Sequence, residues 1–115
     1  MGVSTDAKLV WGFDPECEEG DELHDKLAAL MDADYDKLTA AEKDHGGTLV
    51  YHCSDSCQMY LVGLKSTEKT AWRGHVVEIP PLDVPPDGQA KLDAFAQAIG
   101  VEPKPGRWLM VSWWG

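Results

Sequence analysis

Basic residues are scarce in this chain: ten Lys and Arg stand against 20 Asp and Glu in 115 residues, for a formal charge of −10. Gripping phosphates needs clustered cations, so the expectation excludes direct nucleic-acid binding and attachment to anionic membranes. Cysteine is also sparse, and its count of three is odd. A secreted disulfide framework uses more cysteines and uses them in pairs, so a reducing, cytoplasmic setting is expected. No apolar run approaches the roughly 20 residues of a membrane-spanning helix. Met1–Asp6 lacks the basic-then-apolar order of a signal peptide, and Asp6 stands where myristoylation wants Ser or Thr. A Gly-rich phosphate loop is missing too, because Gly46-Gly47 follows a helical pattern instead of opening one. Basic proteins, cations and uncharged ligands remain as partners.

What is present is unevenly spread. Asp14–Asp36 holds ten of the acids and a single base, Lys26. The other 92 residues hold ten acids and nine bases, and are nearly neutral. The molecule is therefore expected to be a balanced body with one anionic sector. Its hydrophobic share of 43%, with five Trp, suffices for a core. Length and composition predict one domain over 1–115, with residues 1–7 as a flexible start.

Hydrophobic periodicity sets the element order. Lys8–Phe13 alternates as a strand, and Asp14-Pro15 stops it. Leu23, Leu27, Leu30, Met31 and Leu38 predict an amphipathic helix from Glu22 to about Leu38, capped by Asp21. Thr39-x-x-Glu42 has capping-box spacing, so a short second helix is expected from Ala40, ending at Gly46. Thr48–Cys53 and Cys57–Lys65 read as a hairpin around Ser54-Asp55-Ser56. Setting Cys53 opposite Cys57 puts Tyr51 opposite Met59 and Leu49 opposite Leu61 on the core face. Thr70–Ile79 is expected to be a further strand, followed by a proline-stiffened connection over 80–86. Asp87 caps a helix striped by Leu92, Phe95, Ala96 and Ile99 and closed by Gly100. Arg107–Trp114 is a last strand. The expected fold is α+β: one mixed, largely antiparallel five-stranded sheet of order β-α-β-β-β-α-β, with two principal helices on one face. Crossovers would make the first two strands parallel, and likewise the last two.

Three sets of residues bear on function. Parallel first and second strands would bring Cys17, Cys53 and Cys57 to one sheet edge beside His24 and His52. Thiolate and imidazole suit zinc, so a zinc site is the metal expectation, with inert core thiols or a Cys53–Cys57 disulfide as the alternatives. The segment Asp32-x-Asp-x-Asp36…Glu42 resembles the calcium loop of an EF-hand. It lacks the loop's Gly, where Lys37 stands, and its terminal acid is one position early. It is otherwise read as a solvated acidic helix junction. The third set is the surface: Glu18, Glu19, Glu22 and Asp25 as an anionic face, with Trp113 and Trp114, which as strand neighbours point opposite ways. No nucleophile sits beside a base at a recognisable spacing, so no catalytic residues and no resident cofactor are expected. The leading expectation is a small protein-interaction domain that binds a basic partner surface, with self-association as a homodimer through uncovered Trp-bearing surface. A zinc-binding protein or metalloenzyme is the alternative.

Overall fold

The structure is a computed structural model that describes residues 5–54 and 56–114, the side chain of Cys57 excepted. Five strands and three helices form a mixed, mostly antiparallel α+β fold. The strands are β1 (Thr5–Phe13), β2 (Gly47–Ser54), β3 (Cys57–Leu64), β4 (Lys69–Ala71) and β5 (Arg107–Trp114). The helices are α1 (Glu22–Leu30), α2 (Tyr35–His45) and α3 (Gly88–Ala98), and a short 3₁₀ turn spans Lys65–Thr67.

The sheet order is β3-β2-β5-β1-β4, and β3 also pairs with β1. The pairings β1–β5–β2–β3–β1 therefore close on themselves, with β5–β2 as the parallel member. This closure gives the sheet an inner and an outer surface. Val10, Val50 and Leu61 form a small inner cluster with Leu109 and Val111 against it. The outer surface carries the main core: Trp11, Phe13, Leu49, Tyr60, Val62 and Leu64 from strands, and Leu27, Leu30, Leu38, Leu92, Phe95 and Ile99 from the helical segments. Closure depends on Gly12, because a Cβ there would sit 2.0 Å from the Val62 carbonyl oxygen across the β1–β3 pairing. Gly47 likewise leaves room for the Phe95 ring of α3.

Several sequence expectations need correction. The hairpin pairs Ser54 with Cys57 and Tyr51 with Tyr60, one residue away from the expected register. A one-residue slip turns every side chain of one strand over. Tyr60, Val62 and Leu64 therefore share the helix-facing core with Leu49, while Leu61 turns inward beside Val50. The pairing runs on to Ser54 and Cys57, which leaves two residues between the strands where three were expected; Asp55 of the expected turn lies outside the described residues. The single helix over 22–38 is two helices, separated by the turn 31–34. The Leu27–Leu30 stripe runs out there into Asp32-Ala33-Asp34, all three exposed. Asp21 and Asp87 stand at the expected helix starts, yet neither makes a side-chain cap bond. Asp21 Oδ2 instead accepts from the Glu18 amide at 2.8 Å. Gly46 and Gly100 do adopt the left-handed conformation that ends helices.

The strand expected over 70–79 stops at Ala71. A turn takes the chain off the sheet there, with the His75 amide donating to the Trp72 carbonyl at 2.8 Å and Gly74 at φ +78°. Four prolines follow before α3 and deny the segment ladder donors. Residues 72–87 thus form an extended strap outside the sheet. β4 and β5 flank β1 on opposite edges and are both antiparallel to it, hence parallel to each other as expected. β1 and β2 do not pair with each other: both run antiparallel to β3, and so in the same sense beside it, while β2 runs parallel to β5, which runs against β1. The strand β1 begins at Thr5, and residues 1–4 of the expected flexible start lie outside the described residues.

Candidate functional site

The anionic sector is built by one loop and two helices. In the loop after β1, the Glu16 amide donates to Asp14 Oδ1 at 2.8 Å. The Asp21 amide donates to the Glu18 carbonyl at 2.9 Å, reciprocating the Glu18–Asp21 bond. These bonds use local backbone donors and leave the carboxylates facing solvent. All ten acids of Asp14–Asp36 are exposed. Glu22 and Asp25 occupy the first turn of α1, where the helix dipole stabilises negative charge. Among the described residues one of the ten is ion-paired, Glu16, which meets Lys104 at 3.5 Å. The sector's own cation, Lys26, is turned away and donates to the Gly100 carbonyl at 2.9 Å. Glu18, Glu19, Glu22 and Asp25 are thus solvent-facing carboxylates without ion pairs among the described residues. Beside the sector, a cleft of about 340 Å³ is lined by Asp14, Glu16, Lys104 and Arg107 and carries both signs of charge.

The metal candidates form no ligand set among the described residues. Cys17 lies in the main core, 5% exposed. Burial pushes its thiol up, and nearby Asp14 and Asp21 push the same way, against the thiolate that zinc or nucleophilic chemistry needs. His24 Nε2 donates to the Gln58 carbonyl at 2.7 Å, and its ring packs on Tyr60 at 5.4 Å between centroids. The Tyr60 hydroxyl is itself raised, by burial and by Cys17. Cys53 stands at φ +78° near the end of β2, opposite Gln58. Cys17 follows β1; β1 and β2 both run antiparallel to β3, where Gln58, opposite Cys53, accepts from His24. Cys57's backbone belongs to β3, and its side chain lies outside the described residues. Among the described residues, no three His, Cys, Asp or Glu side chains gather into a ligand set. The EF-hand-like segment is a helix junction: Asp32 and Asp34 lie in the turn before α2, and Asp36 and Glu42 lie on α2, so the four are not wrapped around one loop.

Two buried groups carry no signature in the sequence. Lys8, 5% exposed, donates from Nζ to the Tyr51 carbonyl at 2.8 Å. Its ammonium lies 3.5 Å from the Tyr51 ring centroid and 5.5 Å from that of Trp113, and the two rings meet edge to face at 4.9 Å. Burial pushes its pKa down, opposed by Glu68 and Asp6. The arrangement holds a cation against two aromatic rings, and Trp113 is half-buried there. Trp114, by contrast, is 49% exposed. The second group is His52. Burial lowers its pKa, against the pull of Asp14 and with the help of Lys8, and its Nε2 has no hydrogen-bond partner among the described residues. A lysine beginning an apolar strand is the one hint of the first group. Nothing marks the second, because its burial follows from sheet closure.

No helix among the described residues is long and apolar enough to cross a membrane. No protein-family model, no curated protein and no solved structure matches this chain.

Proposed function

We propose that the chain is a protein-interaction module that binds a partner with a basic surface. The observation that carries this reading is the solvent exposure of all ten carboxylates of Asp14–Asp36, with one ion pair among them. Such a sector attracts cationic surfaces over about a Debye length and raises encounter rates more than it raises affinity. Apolar contact would come from the outward side of the strap, where Val76 is 94% and Val84 61% exposed. Apolar side chains exposed to this degree along one segment are a feature of interaction surfaces.

The test is affinity capture from the native host at low and high salt. The baits are the natural chain, a variant with Glu18→Gln, Glu19→Gln, Glu22→Gln and Asp25→Asn, and a control with four acids changed outside both the sector and the strap (Glu42→Gln, Asp44→Asn, Asp93→Asn and Glu102→Gln). The reading expects a partner retained at low salt, released at high salt, lost at least tenfold by the first variant and kept by the control. Equal retention by the natural chain and the first variant, or retention indifferent to salt, discards it.

A further inference from the structure

Beyond the helices, the outer surface of β4, β1 and β5 forms two cross-strand rows. Leu9 stands opposite Lys69 on one side and Met110 on the other, and Ala7 stands between Ala71 and Ser112 in the same way. The row of small residues sinks below its neighbour, because paired side chains share a face and Ala is short. The strap supplies a wall. Its alternation turns Val77 and Ile79 toward the sheet, while Val76 beside them is 94% exposed. Two hollows result. One of about 160 Å³ lies over Ala7, Ala71 and Leu9, between Met110 and the strap. The other, of about 220 Å³, lies between Leu9, Trp108 and the strap's prolines. They meet at Leu9, Ile79 and Lys69, which line both. Together they reach the lower end of the roughly 300–1,000 Å³ typical of small-molecule sites.

The charge at the junction is specific. Lys69 is exposed, and its ammonium makes no ion pair or hydrogen bond with any described residue. Its neighbour Glu68 points to the opposite side of the strand and acts on Lys8 within. Residues 65–73 hold three bases and one acid, against the sign of the whole chain. Asp83, on the wall of the second hollow, disfavours an anion deeper under the strap.

We propose that these hollows are one binding site for a small apolar carboxylate, such as a medium-chain alkyl acid. The carboxylate meets Lys69 and the hydrocarbon lies over Ala7 and Ala71 between Met110 and Ile79. The site is independent of the anionic sector, so it stands or falls apart from the protein-binding reading. The experiment is calorimetric titration of the full chain with decanoate below its micelle concentration. Decanol and decyltrimethylammonium serve as neutral and cationic counterparts, and Trp fluorescence is read in parallel. The expected result is saturable one-to-one binding of decanoate, weakened about tenfold by Lys69→Gln, the loss of one exposed charge-assisted contact. Ala71→Leu, which fills the floor at a half-exposed position, abolishes binding while circular dichroism stays unchanged. Lys104→Gln leaves binding intact. Absence of saturable decanoate binding overturns the proposal. So does equal affinity for decanol and decanoate, or tighter binding of the cation, because each denies Lys69 its role.

Discussion

One pair of strands presents the same face to two different covers. Near the β1 C-terminus, Trp11 opposite Trp108 lies under the start of α3. A Cβ added at Gly88 would stand 3.2 Å from the Trp11 ring, and one at Gly106 only 2.4 Å. Four residues along the same strands, Ala7 opposite Ser112 has no helix above it, and the adjoining Met110 is 73% exposed. The difference lies in the cover. α3 delivers Leu92, Phe95 and Ala96 at helical spacing, and all three are fully buried. The strap delivers every second residue only, and its prolines cannot add a strand to β4. A helix seals a sheet, whereas a proline-stiffened strap leaves grooves along it.

The largest test of that contrast is truncation on either side. Phe95→Ala, beneath the helix, is expected to lower unfolding free energy by about 3–5 kcal/mol, since a buried ring is lost and its cavity only partly collapses. Ile79→Ala, in a strap residue 46% exposed, is expected to cost under about 1 kcal/mol. Urea unfolding reads both. Similar costs would mean that the strap is as integral to the core as α3.

The inside of the closed ladder makes a smaller second contrast. His52 lies two residues after Val50 on β2, and its Nε2 has no hydrogen-bond partner among the described residues. Its pKa in the folded protein is held below the usual 6.5 by burial. As pH falls through 6.5, the unfolded chain takes up a proton that the folded protein resists. Stability attributable to this group is therefore whole above 6.5 and declines below it. His52→Leu removes both the orphan nitrogen and the titration. At pH 7 the variant should match the natural chain or exceed it by about 1 kcal/mol, and its advantage should widen toward pH 5. Parallel stability curves over that range would show that His52 is not the buried group described.

How far the sequence discloses this molecule follows from which signals are local. The five strands and the helix ends at Gly46 and Gly100 are local, and periodicity with left-handed glycines marks them. The acidic sector is local as well, because ten carboxylates against one lysine cannot be buried at tolerable cost. Register is different. Both faces of the hairpin are apolar, so alternation gave no preference between pairing Cys53 with Cys57 and pairing Ser54 with Cys57, and turn length decided it. Sheet closure is further from view, since it rests on Gly12 approaching Val62, two residues 50 apart in the chain. The zinc constellation depends on the ladder as well: its shared edge required β1 and β2 to run in one sense, and these strands meet only through β3 and β5, which relate them oppositely. The Lys69 junction was invisible for the same reason, because the Leu9–Lys69 pairing and the strap's departure at Gly74 both arise only in three dimensions.

The smallest expected effect is at Lys104, which links the loop before β5 to the anionic loop after β1. Its Nζ lies 3.5 Å from Glu16 Oε2 and 3.4 and 3.5 Å from the carbonyls of Asp14 and Pro15. Counted as contacts, it looks like a clasp on the helix-covered half of the sheet. Physically it is weak: the distances are long for charge-assisted bonds, the Glu16 side chain is 76% exposed, and solvent screens the pair. Lys104→Ala should therefore cost no more than about 0.5 kcal/mol, an effect that fades further in high salt. A loss above 2 kcal/mol would mean that this lysine, and not the packing of Trp11 against Gly88 and Gly106, holds the loop in place. The sealed half of the sheet would then owe its closure to a surface charge instead of to the helix.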